Sequence, residues 1–203
     1  GANSLLNPTI NVGTQTGVGN SAFGVNVMPG LTTGQRNTGV GDFALFSATS
    51  GNENTALGAG ALYSNSTASS NVAIGRNALT TNNASNNTAV GFAALRQNAS
   101  GTNNTAIGFE ALRNVTGSGN VGVGYQAGRL ETGSNRLYIE NSNADANNAL
   151  IYGEFDNNIV RVNGTLQISN PASAPGYALP NVRGTAGKFC KPMVLEEQAG
   201  QIH

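Results

Sequence analysis

The chain has 203 residues, with ten basic and ten acidic side chains that cancel and only 10% charged residues, against about a quarter in ordinary globular domains. Neither sign clusters along the sequence, which argues against a nucleic-acid partner. No apolar run approaches the ~20 residues that a membrane-spanning helix requires. Aromatics are 6% and Trp is absent, too few large side chains for a thick core, so the chain must stack thin layers or share a core with other chains.

Cys190 is the sole cysteine and His203 the sole histidine. An intrachain disulfide, a His/Cys metal cluster and a Ser/His/Asp triad are therefore not available, and no cofactor or metal is expected. The terminal His203 reads as a truncation or purification scar. The chain opens on Gly1-Ala2-Asn3 rather than Met, as a piece of a longer chain would.

Residues 1–19 read as a degenerate lead-in, with Asn11-Val12-Gly13 and Gly17-Val18-Gly19 as partial echoes of a repeat that begins at Asn20. End units of stacked architectures are usually atypical, because one face has no neighbour. The repeat occupies residues 20–134. Asn20-Ser21-Ala22-Phe23-Gly24 returns as the segments Asn37–Gly41, Asn54–Gly58, Asn71–Gly75, Asn87–Gly91, Asn104–Gly108 and Asn120–Gly124. The asparagines are spaced by 17, 17, 17, 16, 17 and 16 residues. A fixed period of this kind is read before any other signal.

Counting the Asn as position zero, +1 is mostly Thr or Val, +2 is always Ala or Gly, +3 is always apolar and +4 is always Gly. This alternation of period two predicts a short strand. The invariant Gly (Gly41, Gly58, Gly75, Gly91, Gly108, Gly124) ends it, at a conformation or a close approach that a Cβ would forbid. Positions +7 and +8 carry Ala-Leu, for example Ala61-Leu62 and Ala94-Leu95, followed by polar turns. A coil of this length is too short for a helix-pair repeat. It predicts two extended segments and two turns per coil, in an all-β parallel β-roll or β-solenoid. The recurrent asparagines Asn37, Asn54, Asn71, Asn87, Asn104 and Asn120 are expected to stack at about 4.8 Å and exchange amide hydrogen bonds. The row of small residues at +2 is expected to face outward, where it lets another surface approach closely. Three columns on a common axis would then supply the missing burial.

Residues 135–169 carry most of the remaining large side chains and predict a small β module. Its strand-like runs are Asn135–Glu140, Ala149–Phe155 and Asn158–Val162, the last joined by Asn163-Gly164 to Thr165–Ile168 as a hairpin. Residues 170–203 read as a Pro/Ala/Ser linker and an irregular tail.

The weaker chemical signals have plainer readings. Gly122-Val123-Gly124 with Gly128 mimics a phosphate loop but is the repeat itself. The carboxylates Glu140 and Asp145, or Glu196 and Glu197, would suit a glycosidase pair, but nothing in the sequence organises them and they read as solvated surface. The sequons at Asn65, Asn98 and Asn114 are what an Asn/Ser/Thr-rich repeat generates by chance. Phe92, Phe109 and Tyr125 hold equivalent positions in successive repeats. They predict an aromatic ladder at the rung edge, which either stacks on sugar rings or packs between rungs or chains.

The Asn-Thr-Ala-Val/Ile-Gly…Ala-Leu repeats resemble the head repeats of trimeric autotransporter adhesins, which form left-handed parallel β-rolls in threes, and still more those of phage and phage-like tail-fibre proteins. The segment Asn135–Ile168, with Leu137-Tyr138-Ile139-Glu140-Asn141 and Ala149-Leu150-Ile151-Tyr152-Gly153-Glu154-Phe155, resembles the module that follows such repeats in tail-fibre-like proteins of Bacteroidetes-type bacteria. The resemblance covers about residues 20–187. It implies a homotrimeric fibre at a cell or virion surface that attaches to a glycan or protein of a target cell, without catalysis and without membrane insertion. Two alternatives are a filament subunit that polymerises head-to-tail and, least favoured, a carbohydrate-degrading tailspike. After Gly187 the chain departs from the resembled pattern, and residues 188–203 read as an out-of-frame tail.

Overall fold

The computed structural model describes residues 17–164. The expected lead-in before residue 17, the Thr165–Ile168 arm of the hairpin and the tail lie outside the described residues. Ten strands form one sheet in chain order. Seven three-residue strands come from the repeat: β1 (Ser21–Phe23), β2 (Thr38–Val40), β3 (Thr55–Leu57), β4 (Val72–Ile74), β5 (Thr88–Val90), β6 (Thr105–Ile107) and β7 (Val121–Val123). Each pairs in parallel with the next in strict register, so Ala56 faces Ala73 and Ala73 faces Ala89. The fold is an all-β parallel solenoid with one strand per coil.

The second half of each coil departs from expectation. Positions +5 to +10 form turns rather than a second extended segment. The cause is a run of left-handed residues: Leu45, Leu62, Leu79, Leu95 and Leu112 at +8 all have φ between 48° and 52°. A β-branched residue would be strongly disfavoured there, and Leu tolerates it because full burial offsets the strain. Rungs still bond on this return side, for example Leu62 N–H to Ala78 O at 3.0 Å and Leu95 N–H to Ala111 O at 3.0 Å.

The glycine at +4 serves both expected purposes. Gly75 has φ +128°, and a Cβ there would lie 2.5 Å from the carbonyl oxygen of Gly91 in the next rung. A glycine three residues before the Asn on most rungs (Gly34, Gly51, Gly101, Gly117) answers the close approach alone. A Cβ on Gly51 would lie 2.3 Å from Ala68 O.

The small row at +2 points inward, which corrects the expectation that it faces a neighbouring chain. Ala56, Ala73, Ala89 and Ala106 are all fully buried in the core of the single chain, against the Ala-Leu pairs of the return side. The coil is so flat that Leu at +8 fills the space, leaving room for a methyl or a hydrogen opposite. Gly39 shows this limit, since a Cβ there would lie 2.5 Å from Val27 Cγ1. Small residues at +2 therefore lend no support to a trimer.

Two amide columns run through the core. Asn54 donates its backbone N–H and Nδ2 to Asn37 Oδ1, both at 3.0 Å, and Nδ2 also to Ala68 O at 2.9 Å. The pattern recurs at Asn71 and Asn120, and all are buried. A second column, Asn65, Asn82 and Asn98 at +11, runs through the same core in addition to the one expected. Burial rules out glycan attachment at Asn65 and Asn98 in the folded chain.

The module at 135–164 continues the same sheet. Strand β8 (Arg136–Ile139) pairs in parallel with β7, and β9 (Ile151–Glu154) and β10 (Ile159–Val162) then run antiparallel. Tyr138 occupies the inward position of the final rung, where earlier rungs have Ala or Gly. It fits because Gly128 replaces the core Leu: a Cβ on Gly128 would lie 2.8 Å from both Leu112 Cδ2 and Tyr138 Cδ2. Tyr138 and Tyr152 meet edge to face at 5.2 Å and close the core.

Candidate functional site

The fold divides the roll's surface into a strand face and, across the thin core, a return face. Because +2 points inward, +1 and +3 point outward. The strand face thus carries an apolar row from Phe23 to Ile139, in which Phe23, Leu57, Ile74, Ile107 and Ile139 are 37–53% exposed. Val40, Val90 and Val123 continue it at half-buried positions. Thr and Val at +1 run beside it. Contiguous apolar surface of this length differs from the scattered exposure of ordinary monomers.

Phe92, Phe109 and Tyr125 stand exposed in one column at +5. Phe92 stacks on Phe109 at 5.1 Å and 15°, and Phe109 on Tyr125 at 5.3 Å and 11°. The inner faces of the stack cover one another, so the central Phe109 meets solvent mainly through its ring edge. Sugar stacking needs free faces, and this geometry favours the rung-packing reading of the ladder. A second aromatic group, Phe43, Phe46 and Tyr63, lies on earlier rungs, with Phe46 stacked on Tyr63 at 5.0 Å.

Further along, the column of Phe46 and Tyr63 becomes cationic. Position +9 carries Arg96, Arg113 and Arg129 on consecutive rungs. Charge that is dispersed along the sequence is thus concentrated in space. Among the described residues a single carboxylate, Glu110, pairs with them, 3.4 Å from Arg113 Nε and 2.9 Å from Arg129 Nε. Its Oε2 also accepts a hydrogen bond from Gln126 at 2.9 Å.

At the closed end, a cavity of about 230 Å³ is lined by Leu130, Glu131, Tyr138, Asp145 and neighbouring small residues. Its carboxylates are already engaged. Glu131 accepts from Thr132 and Gly133 N–H at 2.8 and 2.6 Å and from the Tyr138 hydroxyl at 2.6 Å. Asp145 caps a turn, accepting from Asn147 and Asn148. Burial, aided by the bond to Glu131, pushes the Tyr138 phenol well above its ordinary range. Glu140 accepts Leu150 N–H at 2.6 Å, and this backbone bond holds its carboxyl below the usual range. A general acid needs the opposite shift, so Glu140 does not suit that role. Glu196 and Glu197 lie outside the described residues.

Among the described residues no group of three or more His, Cys, Asp or Glu could hold a metal ion, and no helix is long and apolar enough to cross a membrane. Comparisons with protein-family models, with curated proteins and with solved structures return no match.

Proposed function

We propose that this chain is a segment of a homotrimeric attachment fibre, in which three solenoids pack their strand faces about a common axis and present the return faces outward. The apolar row at +3 carries this reading. Every rung places an apolar side chain at +3 in the same register, so a second copy in register meets apolar surface on apolar surface from Phe23 to Ile139. The eight rungs span roughly 34 Å at the usual strand spacing, and the chain's own core of Ala and Leu is thin. Burial of the row in an assembly would supply the apolar contact that the flat coil cannot provide alone. The number three comes from the resemblance to trimeric adhesin heads and tail fibres. The fibre's work is mechanical: it holds repeated surfaces at a distance and gains avidity from three copies.

Light scattering tests the assembly. The expected mass is three times the 20.6 kDa of the chain, and the double substitution Ile74→Glu with Ile107→Glu is expected to give monomers. A monomeric parent chain, or a double variant that stays trimeric, overturns the reading. A mass that climbs with concentration identifies a head-to-tail polymer instead. Attachment itself is read by adsorption of labelled trimer to bacterial cells.

A further inference from the structure

We propose that the arginine ladder of the return face, Arg96, Arg113 and Arg129, binds an acidic polysaccharide along the roll axis. This inference rests on the reading of the chain as an attachment fibre, because it names the chemistry that the outward face would take. The three guanidinium-bearing residues sit one rung apart, at about 4.8 Å per rung, so neighbouring charges lie within a Debye length of about 8 Å and repel one another.

Glu110 compensates only one of the three charges, and imperfectly. The Nε atoms of Arg113 and Arg129 are buried, yet neither has a hydrogen-bond partner among the described residues, although both lie within ion-pair reach of Glu110. Arg96 has no ion-pair partner among the described residues. Three stacked cations set against one carboxylate leave an excess of positive charge, which matches a chain of repeating carboxylates or sulfates that guanidinium groups bind through paired N–H donors. Position +10 runs beside the ladder with Gln97 and Asn114, whose side-chain amides have no partner among the described residues and suit sugar hydroxyls. Single-stranded nucleic acid fits less well. It needs free aromatic faces for base stacking, and the neighbouring rings are stacked on one another.

Affinity electrophoresis of the full chain through gels containing polygalacturonate, dextran sulfate, uncharged dextran or poly(dT) tests the proposal. Retardation by the two acidic polysaccharides, weakening with added salt, is expected. Dextran is expected to have no effect. The carboxylated and sulfated arms identify which anion is preferred. The triple variant R96Q/R113Q/R129Q should lose about tenfold or more of the affinity, whereas Arg36→Gln, which removes an exposed pair with Glu53 on distant rungs, should not. Circular dichroism of the triple variant establishes that it is folded, and the single variant Arg96→Gln, which breaks no ion pair, gives a second measure of the loss if it is not. Equal retardation of the Arg96→Gln and triple variants and the parent, equal binding of dextran, or tighter binding of poly(dT) overturns the proposal. Isolated polymers keep its failure separate from that of the fibre reading: a trimer that adsorbs to cells but ignores acidic polymers refutes this inference alone.

Discussion

Asn54→Asp is nearly isosteric and isolates what the buried amide column does. The Asp retains an oxygen that can accept from Asn71 N–H, as Asn54 Oδ1 does at 3.1 Å. It loses the Nδ2 donor, which bonds Ala68 O at 2.9 Å and Asn37 Oδ1 at 3.0 Å. Neither acceptor is left bare, because Asn37 Oδ1 keeps the Asn54 N–H at 3.0 Å and Ala68 O keeps Asn65 Nδ2 at 3.0 Å, so the two lost bonds cost about 0.5–1.5 kcal/mol each. Together that is a sizeable share of the ~5–15 kcal/mol that holds a typical domain. An ionised carboxylate would also face two oxygens at hydrogen-bond distance in a site that is 1% exposed.

Its pKa in the folded chain must therefore rise above the ordinary ~3.9. The sign comes from linkage: with the folded pKa raised, the protonated variant keeps its stability below about pH 4 and loses it progressively as pH climbs toward the folded value. Protonated, the carboxyl can restore one of the two bonds. Urea unfolding followed by far-UV circular dichroism, at one fixed protein concentration because assembly would shift the midpoint, reads the difference between variant and parent. The expected result is a modest deficit at pH 3 and one larger by several kcal/mol at pH 8. A deficit under about 0.5 kcal/mol at pH 8, or one independent of pH, would refute the claim that the column is held by amide donors.

Other substitutions probe the remaining features. Gly75→Ala combines a φ of +128° with a Cβ 2.5 Å from Gly91 O, and should cost about 3 kcal/mol or more in thermal or urea unfolding; a neutral result would mean the rungs slide apart freely. At Leu62, with φ 52°, truncation to Ala should cost about 2–5 kcal/mol, but Leu62→Gly should cost no more than Leu62→Ala, because Gly relieves about 1–2 kcal/mol of left-handed strain. An ordinary core site would rank them the other way, and parallel melts of the two variants decide it. Tyr138→Phe removes the bond to Glu131 at 2.6 Å and should cost about 1–2 kcal/mol at neutral pH. The raised Tyr138 pKa means that its stability contribution is complete below about pH 10 and declines above it. Unfolding scans in alkaline buffer should therefore show a decline in the parent that is shallower in Tyr138→Phe.

The period, the position of each strand, the asparagine ladder and the glycine stop were all legible in the sequence, because each rung repeats one local rule of alternation and stacking. The strand runs of the closing module were legible too. Period-two alternation says that +2 and +3 lie on opposite faces, but not which face is inside. The larger residues would ordinarily go inward. Here Leu at +8, held in a left-handed conformation that composition does not reveal, already fills the flat core from the other side. Ala at +2 is therefore inside and the row from Phe23 to Ile139 outside. That inversion moved the proposed contact between chains from the small row to the apolar one. The arginine ladder was hidden for a related reason: Arg96, Arg113 and Arg129 are 16 or 17 residues apart in a chain of zero net charge. Reading position +9 as a column would have found them. Only the tertiary stack, which sets each coil directly on the last, makes them neighbours and pairs Glu110 with two of them.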